Sequence, residues 1–212
     1  MADQPLIAIL DYGIGNLHSA HKGFDHAGAD ARLTADRGLI AEAAGVVLPG
    51  VGAFRPCMEA LQASGLDEVA LEVIGRGTPF FGICIGMQLL CAGSEESPGC
   101  AGLGVFEQTV VRLPDGVKHP QMQWNVLDRR APEHPMFAGQ PAEAWMYFVH
   151  SFAAEDGPDV VATCDYGGPL VAAVARDDLW AVQFHPEKSG ENGLRMLESF
   201  VTLAGDRAGV VA

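Results

Sequence analysis

Two short stretches of this chain hold the residue types that covalent chemistry needs. One is a cysteine set between glycines, Gly82-Ile83-Cys84-Ile85-Gly86; the other is Gln183-Phe184-His185-Pro186-Glu187. A thiolate is a strong nucleophile once a base has taken its proton, and the base works best when an acceptor on its second ring nitrogen fixes the tautomer. Cys84, His185 and Glu187 supply those three roles in principle. The glycines around Cys84 permit a sharp strand-to-helix turn with the sulfur at the carboxyl edge of a sheet. A helix starting there points its N-terminus at the sulfur and favours the thiolate. His185 follows the apolar stretch Leu179 to Phe184, so it too is expected at a strand end, where open α/β sheets build their sites. His150 ends another apolar stretch and is the rival base. His18, His21 and His26 fall on an expected helix as surface residues. Cys57, Cys91, Cys100 and Cys164 lack the glycine-flanked setting and read as packing or surface residues. Acyl transfer also needs N–H donors for a developing oxyanion. Gly50, Val51 and Gly52, in Pro49-Gly50-Val51-Gly52, can turn backbone amides toward Cys84, because glycine adopts φ > 0 without steric cost.

The elements that would carry these groups alternate as strand and helix in the first half. Leu6–Leu10 is a continuous apolar run, as in a strand buried on both faces. Asn16 is placed to cap a helix running to about Ala27, with Gly28 as its stop. Gly45 to Leu48 is a second short strand, expected to end at Pro49-Gly50. Residues 57 to 74 have helical spacing through Met58, Leu61, Leu66, Val69 and Val73. Thr78 to Ile83 is a buried strand, and a helix follows from about Cys84 to Cys91. In the second half, strands are expected at Val105 to Leu113, Trp145 to Val149, Val160 to Cys164, Leu170 to Ala175 and Leu179 to Phe184. Short Gly, Pro or Asp-Asp turns between several of these favour antiparallel pairing. A last helix spans roughly Gly190 to Leu203. Residues 92–104 and 128–143 read as loops. The expectation is an α/β fold in one domain, 1–212: a mostly parallel sheet with an antiparallel extension and helices outside it.

Composition narrows the function classes. The chain has 212 residues, 49% of them hydrophobic, which is ample for one core. Its 27 acidic and 13 basic residues give a net charge of −14, which disfavours binding to nucleic acid or anionic membrane through the bulk field. No run of about 18 apolar residues marks a membrane span. The start, Met1 to Pro5, lacks the basic region of a secretory signal. Five cysteines without a C-x-x-C argue against a disulfide framework or a zinc site and fit a reducing cytoplasm. Gly13-Ile14-Gly15 falls short of a dinucleotide fingerprint and no phosphate-binding loop motif occurs, so no cofactor is expected.

Taken together, the motifs resemble the class I glutamine amidotransferases, which use a Cys-His-Glu triad. Within that class they are similar to the glutaminase subunits of imidazole glycerol phosphate synthases, from histidine biosynthesis. Asp11–Leu17 (DYGIGNL), Pro49–Phe54 (PGVGAF), Gly82–Gln88 (GICIGMQ), Trp124-Asn125, Tyr147–Ser151 (YFVHS) and Gln183–Ser189 (QFHPEKS) carry the likeness across nearly the whole chain. The resemblance implies a flavodoxin-like fold with Cys84 as nucleophile, His185 as proton carrier and Glu187 as its orienter. It implies that Gln88, Glu96 and the backbone around Ser151 and Phe152 hold glutamine. Gly52 and a peptide flip near Val51 would supply the oxyanion hole. A (β/α)₈-barrel cyclase would be the partner in a heterodimer and would receive the ammonia. Asn16, Trp124, Asn125, Tyr147 and Lys188 match positions near the docking face.

The chain departs from that family at Gln121 and Gln123, where a histidine and a glycine are usual. A glutamine in place of glycine gives up easy access to φ > 0 and adds a long side chain beside the interface. Two other readings compete with an ammonia-supplying subunit: a silent scaffold that keeps the fold, and a stand-alone cysteine hydrolase of another amide or ester.

Overall fold

In the computed structural model, residues 4–211 are described. They run β1 (Leu6–Leu10), α1 (Leu17–His26), β2 (Asp30–Thr34), α2 (Arg37–Glu42), β3 (Gly45–Gly50), α3 (Phe54–Ser64), α4 (Leu66–Gly75), β4 (Phe80–Cys84) and α5 (Ile85–Leu90). There follow β5 (Gly93–Ser94), β6 (Thr109–Arg112), β7 (Gln121–Val126), β8 (Asp128–Arg129), β9 (Trp145–His150), β10 (Phe152–Ala154), β11 (Val160–Asp165), β12 (Pro169–Arg176), β13 (Leu179–Val182) and α6 (Gly190–Val211). Short 3₁₀ turns lie at Pro135–Phe137 and Pro186–Lys188.

Eight strands form one sheet in the order β2-β1-β3-β4-β13-β12-β11-β8. The five strands from β2 to β13 are parallel, an order of the flavodoxin-like kind, while β12, β11 and β8 continue the sheet antiparallel. This is the mixed sheet expected from the sequence. Parallel strands are covered on both faces, which is why β1, β3, β4 and β13 are buried almost throughout. On one face Phe24 of α1, Phe81 of β4, Trp180 of β13 and Phe200 of α6 pack ring against ring, with centroids 5.2–6.4 Å apart. Each such pair is worth roughly 0.5–1.5 kcal/mol beyond its buried area. Gly82, the next residue along β4, faces the other way and meets Leu90 of α5. Helices therefore cover both faces. Two smaller units flank the sheet: β10-β6-β5, and the antiparallel hairpin β7–β9.

Several boundaries differ from the sequence reading, each for a local reason. β3 runs through Pro49 and Gly50, because these pair in register with Ile83 and Cys84 of β4. The helical stretch 57–74 is two helices. Gly65 adopts φ +68 and closes α3, and α4 starts anew after it. Asn16 occupies the cap position of α1, yet its side chain makes no capping bond. The strand expected at Val105 to Leu113 is confined to Thr109–Arg112, and α6 runs eight residues past Leu203 to Val211. β2 and α2 were not expected. β2 is an edge strand interrupted by the charged Asp30 and Arg32, and α2 has only six residues, started by Asp36 accepting from the Leu39 N–H at 2.8 Å.

One glycine fixes the turn that follows β4. A Cβ on Gly86 would lie 1.8 Å from the Leu48 carbonyl oxygen of β3, a backbone atom that has no room to yield. Gly86→Ala is therefore expected to cost about 3 kcal/mol or more, read as a drop in the urea midpoint. Gly75→Ala is the matched control: it lies in α4 with nothing within 4 Å of its would-be Cβ, and it should be neutral or stabilising by up to ~1 kcal/mol.

Candidate active site

The last residue of β4 is Cys84, and its backbone sits at φ 55, ψ −111. A non-glycine residue pays strain for that conformation, and such strain persists only where packing on both sides enforces it. Here the Gly86–Leu48 approach behind and the β3–β4 ladder beside it do so. The strained turn swings the side chain off the sheet line to the carboxyl edge, at the wall of a cavity of about 400 Å³. Val51, Gly52, Gln88, Glu96, His150, Ser151, Phe152, His185 and Lys188 line the same cavity.

β13 pairs in parallel with β4, with Val182 beside Ile83. The chain leaves β13 at the same edge and brings His185 to the sulfur. His185 Nδ1 lies 2.8 Å from Glu187 Oε1, and both side chains are all but inaccessible to solvent. Burial alone would lower the pKa of this imidazole. Hydrogen bonds to Cys84 and Glu187, with the charges of both, override burial and raise it to about 9. The Pro186–Lys188 turn that presents Glu187 is tied down from behind: Ser189 Oγ donates to the His185 carbonyl at 2.6 Å and accepts from the Tyr147 N–H at 3.0 Å.

His150, the rival base, lines the cavity in a different state. Its Nδ1 is 2.8 Å from the Phe152 carbonyl oxygen, which can only accept, so that nitrogen carries the hydrogen. Burial, aided by the neighbouring His185 and opposed by the Phe152 bond, brings its pKa down to about 4. His150 is a neutral acceptor, unsuited to carry a proton near neutrality. The other cysteines stand apart from the chemistry. Burial drives Cys57, Cys91 and Cys164 up to about 11, 12 and 11, and Cys100 is half-buried near the surface.

Of the three residues of the Gly-rich turn, Val51 and Gly52 line the cavity, Gly52 at φ +99. Gly50 lies in β3 beside Cys84, packed against Tyr12 and Ile85 rather than facing the cavity. Two residues that sequence reasoning passed over hold this turn: Tyr12 Oη donates to the Pro49 carbonyl at 2.7 Å, and Cys57 Sγ donates to the Val51 carbonyl at 3.3 Å. Gln88 donates from Nε2 to the Phe152 carbonyl at 3.0 Å, and Glu96 Oε2 accepts from the Phe54 N–H at 2.8 Å.

The residues expected at a docking face divide. Trp124 and Tyr147 stand opposite each other on the β7–β9 hairpin, rings 6.0 Å apart. Met122 and Trp145, unremarked in the sequence, share their face, and Met122, Trp124 and Trp145 are exposed by 61, 47 and 45%. Alternation along β7 puts Asn125 on the other face, where its Nδ2 donates to the Asp165 carbonyl at 2.8 Å. Asn16 lies behind the triad beside His185 and Glu187, and Lys188 is on the cavity wall. Gln121 is fully buried, its Nε2 3.8 Å from the Cys164 sulfur. Gln123 sits in mid-strand opposite Phe148, a position that asks for no positive φ.

Known proteins share this architecture. Residues 8–204 match the family model "Glutamine amidotransferase class-I". The imidazole glycerol phosphate synthase subunit HisH of Acinetobacter baylyi is 45% identical over 199 residues, covering 92% of this chain and 97% of that protein. The subunit of the same name from Syntrophotalea carbinolica is 47% identical over 204 residues, covering 92% and 98%. Among solved structures, PurLQS from Thermotoga maritima is 18% identical and superposes with a TM-score of 0.75 over 94% of this chain and 98% of that one, a likeness of fold. The chain thus belongs to the class-I glutamine amidotransferases and, within them, to the HisH subunits of imidazole glycerol phosphate synthase.

Proposed function

We propose that the whole chain is one glutaminase domain that hydrolyses glutamine at Cys84 and hands the ammonia to a (β/α)₈-barrel cyclase subunit. In that complex the cyclase makes imidazole glycerol phosphate and an aminoimidazole carboxamide ribonucleotide for histidine biosynthesis. The observation that carries this reading is the buried His185–Glu187 pair lining, with Cys84, one cavity large enough for an amino acid. An intact triad is not what a silent scaffold needs to keep.

His185 draws the proton from Cys84, and the thiolate attacks the carboxamide carbon of glutamine. The negative charge that develops on oxygen is met by backbone N–H groups at the Gly50-Val51-Gly52 turn, after reorientation of the Val51 peptide. Collapse of the tetrahedral species breaks the C–N bond, and His185 returns the proton to the leaving nitrogen as ammonia departs. Water then attacks the thioester while His185 takes its proton; glutamate leaves and Cys84 is regenerated. Glu187 holds the imidazole in the tautomer both steps require. Glu96 complements the substrate's α-ammonium, and Gln88 with the Ser151–Phe152 backbone fixes its polar groups.

The exposed apolar face of the β7–β9 hairpin, carrying Trp124 and Tyr147, supports a docking role for that edge. Aromatic residues on an exposed strand pair are the usual anchors of such contacts. A cytoplasmic site of action fits the five free thiols. Among the described residues, no helix is long and apolar enough to cross a membrane.

Three outcomes follow. Cys84→Ala should lower glutamine-dependent turnover by about 10³-fold or more while leaving the complex able to use free ammonium. Normal glutamine turnover by that variant would falsify the proposal, and robust turnover by the parent without any partner would favour a stand-alone hydrolase. Trp124→Ala should weaken association with the cyclase by about tenfold or more in a titration, with the fold unchanged. The third concerns pH. His185 has a pKa of about 9 in the folded protein against 6.5 for the free group. The stabilisation this gives is complete below about pH 6.5 and is lost as pH rises through about 9. Between pH 7 and 9.5 the parent's urea midpoint should therefore fall more than that of Glu187→Gln, whose His185 lacks the carboxylate. Equal falls in the two proteins would show that the pair does not carry this linkage.

A further inference from the structure

Behind the cavity wall lies a hydrogen-bond chain whose polarity is fixed from one end. The Phe152 carbonyl oxygen can only accept, so the Gln88 atom 3.0 Å from it is the amide nitrogen. That same nitrogen lies 2.9 Å from the Gln183 side chain, which must therefore present its oxygen. The Gln183 amide nitrogen is then left facing Cys84, 3.8 Å from the sulfur. Gln183 is fully buried on the strand end that leads into His185, and water has no access to replace it. Fixing Gln88 in this sense also leaves its Oε1 buried without a partner among the described residues, on a side chain that lines the cavity.

We propose that Gln183 is a further catalytic residue with two linked tasks. Its N–H donates to the Cys84 sulfur and so favours the thiolate, the form able to accept; its oxygen locks Gln88 with Oε1 available to accept from a donor group of the substrate. A donated hydrogen bond to a buried anion is among the stronger ones, and the low polarity around it makes its removal costly. The inference rests on Cys84 being the nucleophile. It adds a donor at the sulfur besides His185, and ties the readiness of the sulfur to the orientation of the substrate-binding amide.

The test compares the parent protein with Gln183→Glu and Gln183→Met, each checked for an unchanged fold by circular dichroism and thermal melting. Gln183→Glu keeps the acceptor for Gln88 but turns an oxygen toward the sulfur. Gln183→Met keeps the bulk and removes both polar contacts. Alkylation of Cys84 by iodoacetamide, followed by mass spectrometry across pH 6 to 10, reads the sulfur directly. At pH 7 both variants should be alkylated about tenfold or more slowly than the parent, with the midpoint of the pH profile moved upward. With the cyclase present, Gln183→Glu should lose kcat with KM for glutamine little changed, whereas Gln183→Met should also raise KM, because Gln88 is released. If either folded variant alkylates at the parental rate with the parental pH profile, the proposal is wrong; if Gln183→Glu unfolds, Gln183→Met alone decides it. Because alkylation needs no glutamine, this result is independent of whether glutamine is the substrate. Failure of the glutaminase reading would appear instead as normal turnover in Cys84→Ala.

Discussion

The backbone at Cys84 is the constraint on which the rest of the molecule depends. A residue with a side chain is held at positive φ at the end of a central strand, and it stays there only because β3, β4 and α5 approach too closely to let it relax. The same ladder that enforces the strain assembles the site. Gly50 is paired with Cys84 on one side of β4, and Val182 with Ile83 on the other. The Gly50-Val51-Gly52 turn thus leaves β3, and the histidine leaves β13, at the height of the sulfur. Three segments, the farthest apart separated by 135 residues in the chain, need no further device to meet.

The two histidines of the cavity are both buried, and their neighbours set them apart. Burial lowers both, but Cys84 and Glu187 drive His185 up to about 9, whereas burial, aided by His185 and only partly opposed by the Phe152 carbonyl, takes His150 down to about 4. Pairs of titratable groups pushed apart in this way mark the division of labour in an active site. In the proposed mechanism one ring moves protons, while the other keeps a fixed hydrogen and an open lone pair.

Much of this was legible in the sequence, for definite reasons. The continuous apolar runs of β1, β3 and β4 announce strands buried on both faces, and the glycine-flanked cysteine announces the turn. His185 and Glu187 stand two residues apart, so the pair is local and visible. Less was legible where placement depends on distant partners. β7 is a polar stretch, Gln121 to Val126, whose strand character comes from pairing with β9; without that partner nothing in Gln-Met-Gln-Trp-Asn-Val points to a hairpin or to Met122 joining Trp124. β2 is likewise an edge whose pattern is blurred by Asp30 and Arg32, paired with each other at the surface. Gln183 lies two residues before His185 on an extended chain, which is the one local hint of its place. Its partners, Gln88 and Cys84, are 95 and 99 residues away. Asn125 and Trp124 adjoin in sequence, yet strand alternation puts them on opposite faces of β7.

The exposed hairpin face and the net charge of −14 set the colloidal behaviour of the free chain. Tryptophan and methionine side chains on one side make the molecule adhesive to its own kind, while the excess of carboxylates elsewhere holds copies apart at long range. The balance shifts with ionic strength: at 0.1 M salt the repulsion reaches about 10 Å, and at 1 M only about 3 Å. A free subunit is thus kept dispersed by its acidity in dilute buffer and becomes self-adherent in concentrated salt, through the exposed hairpin face.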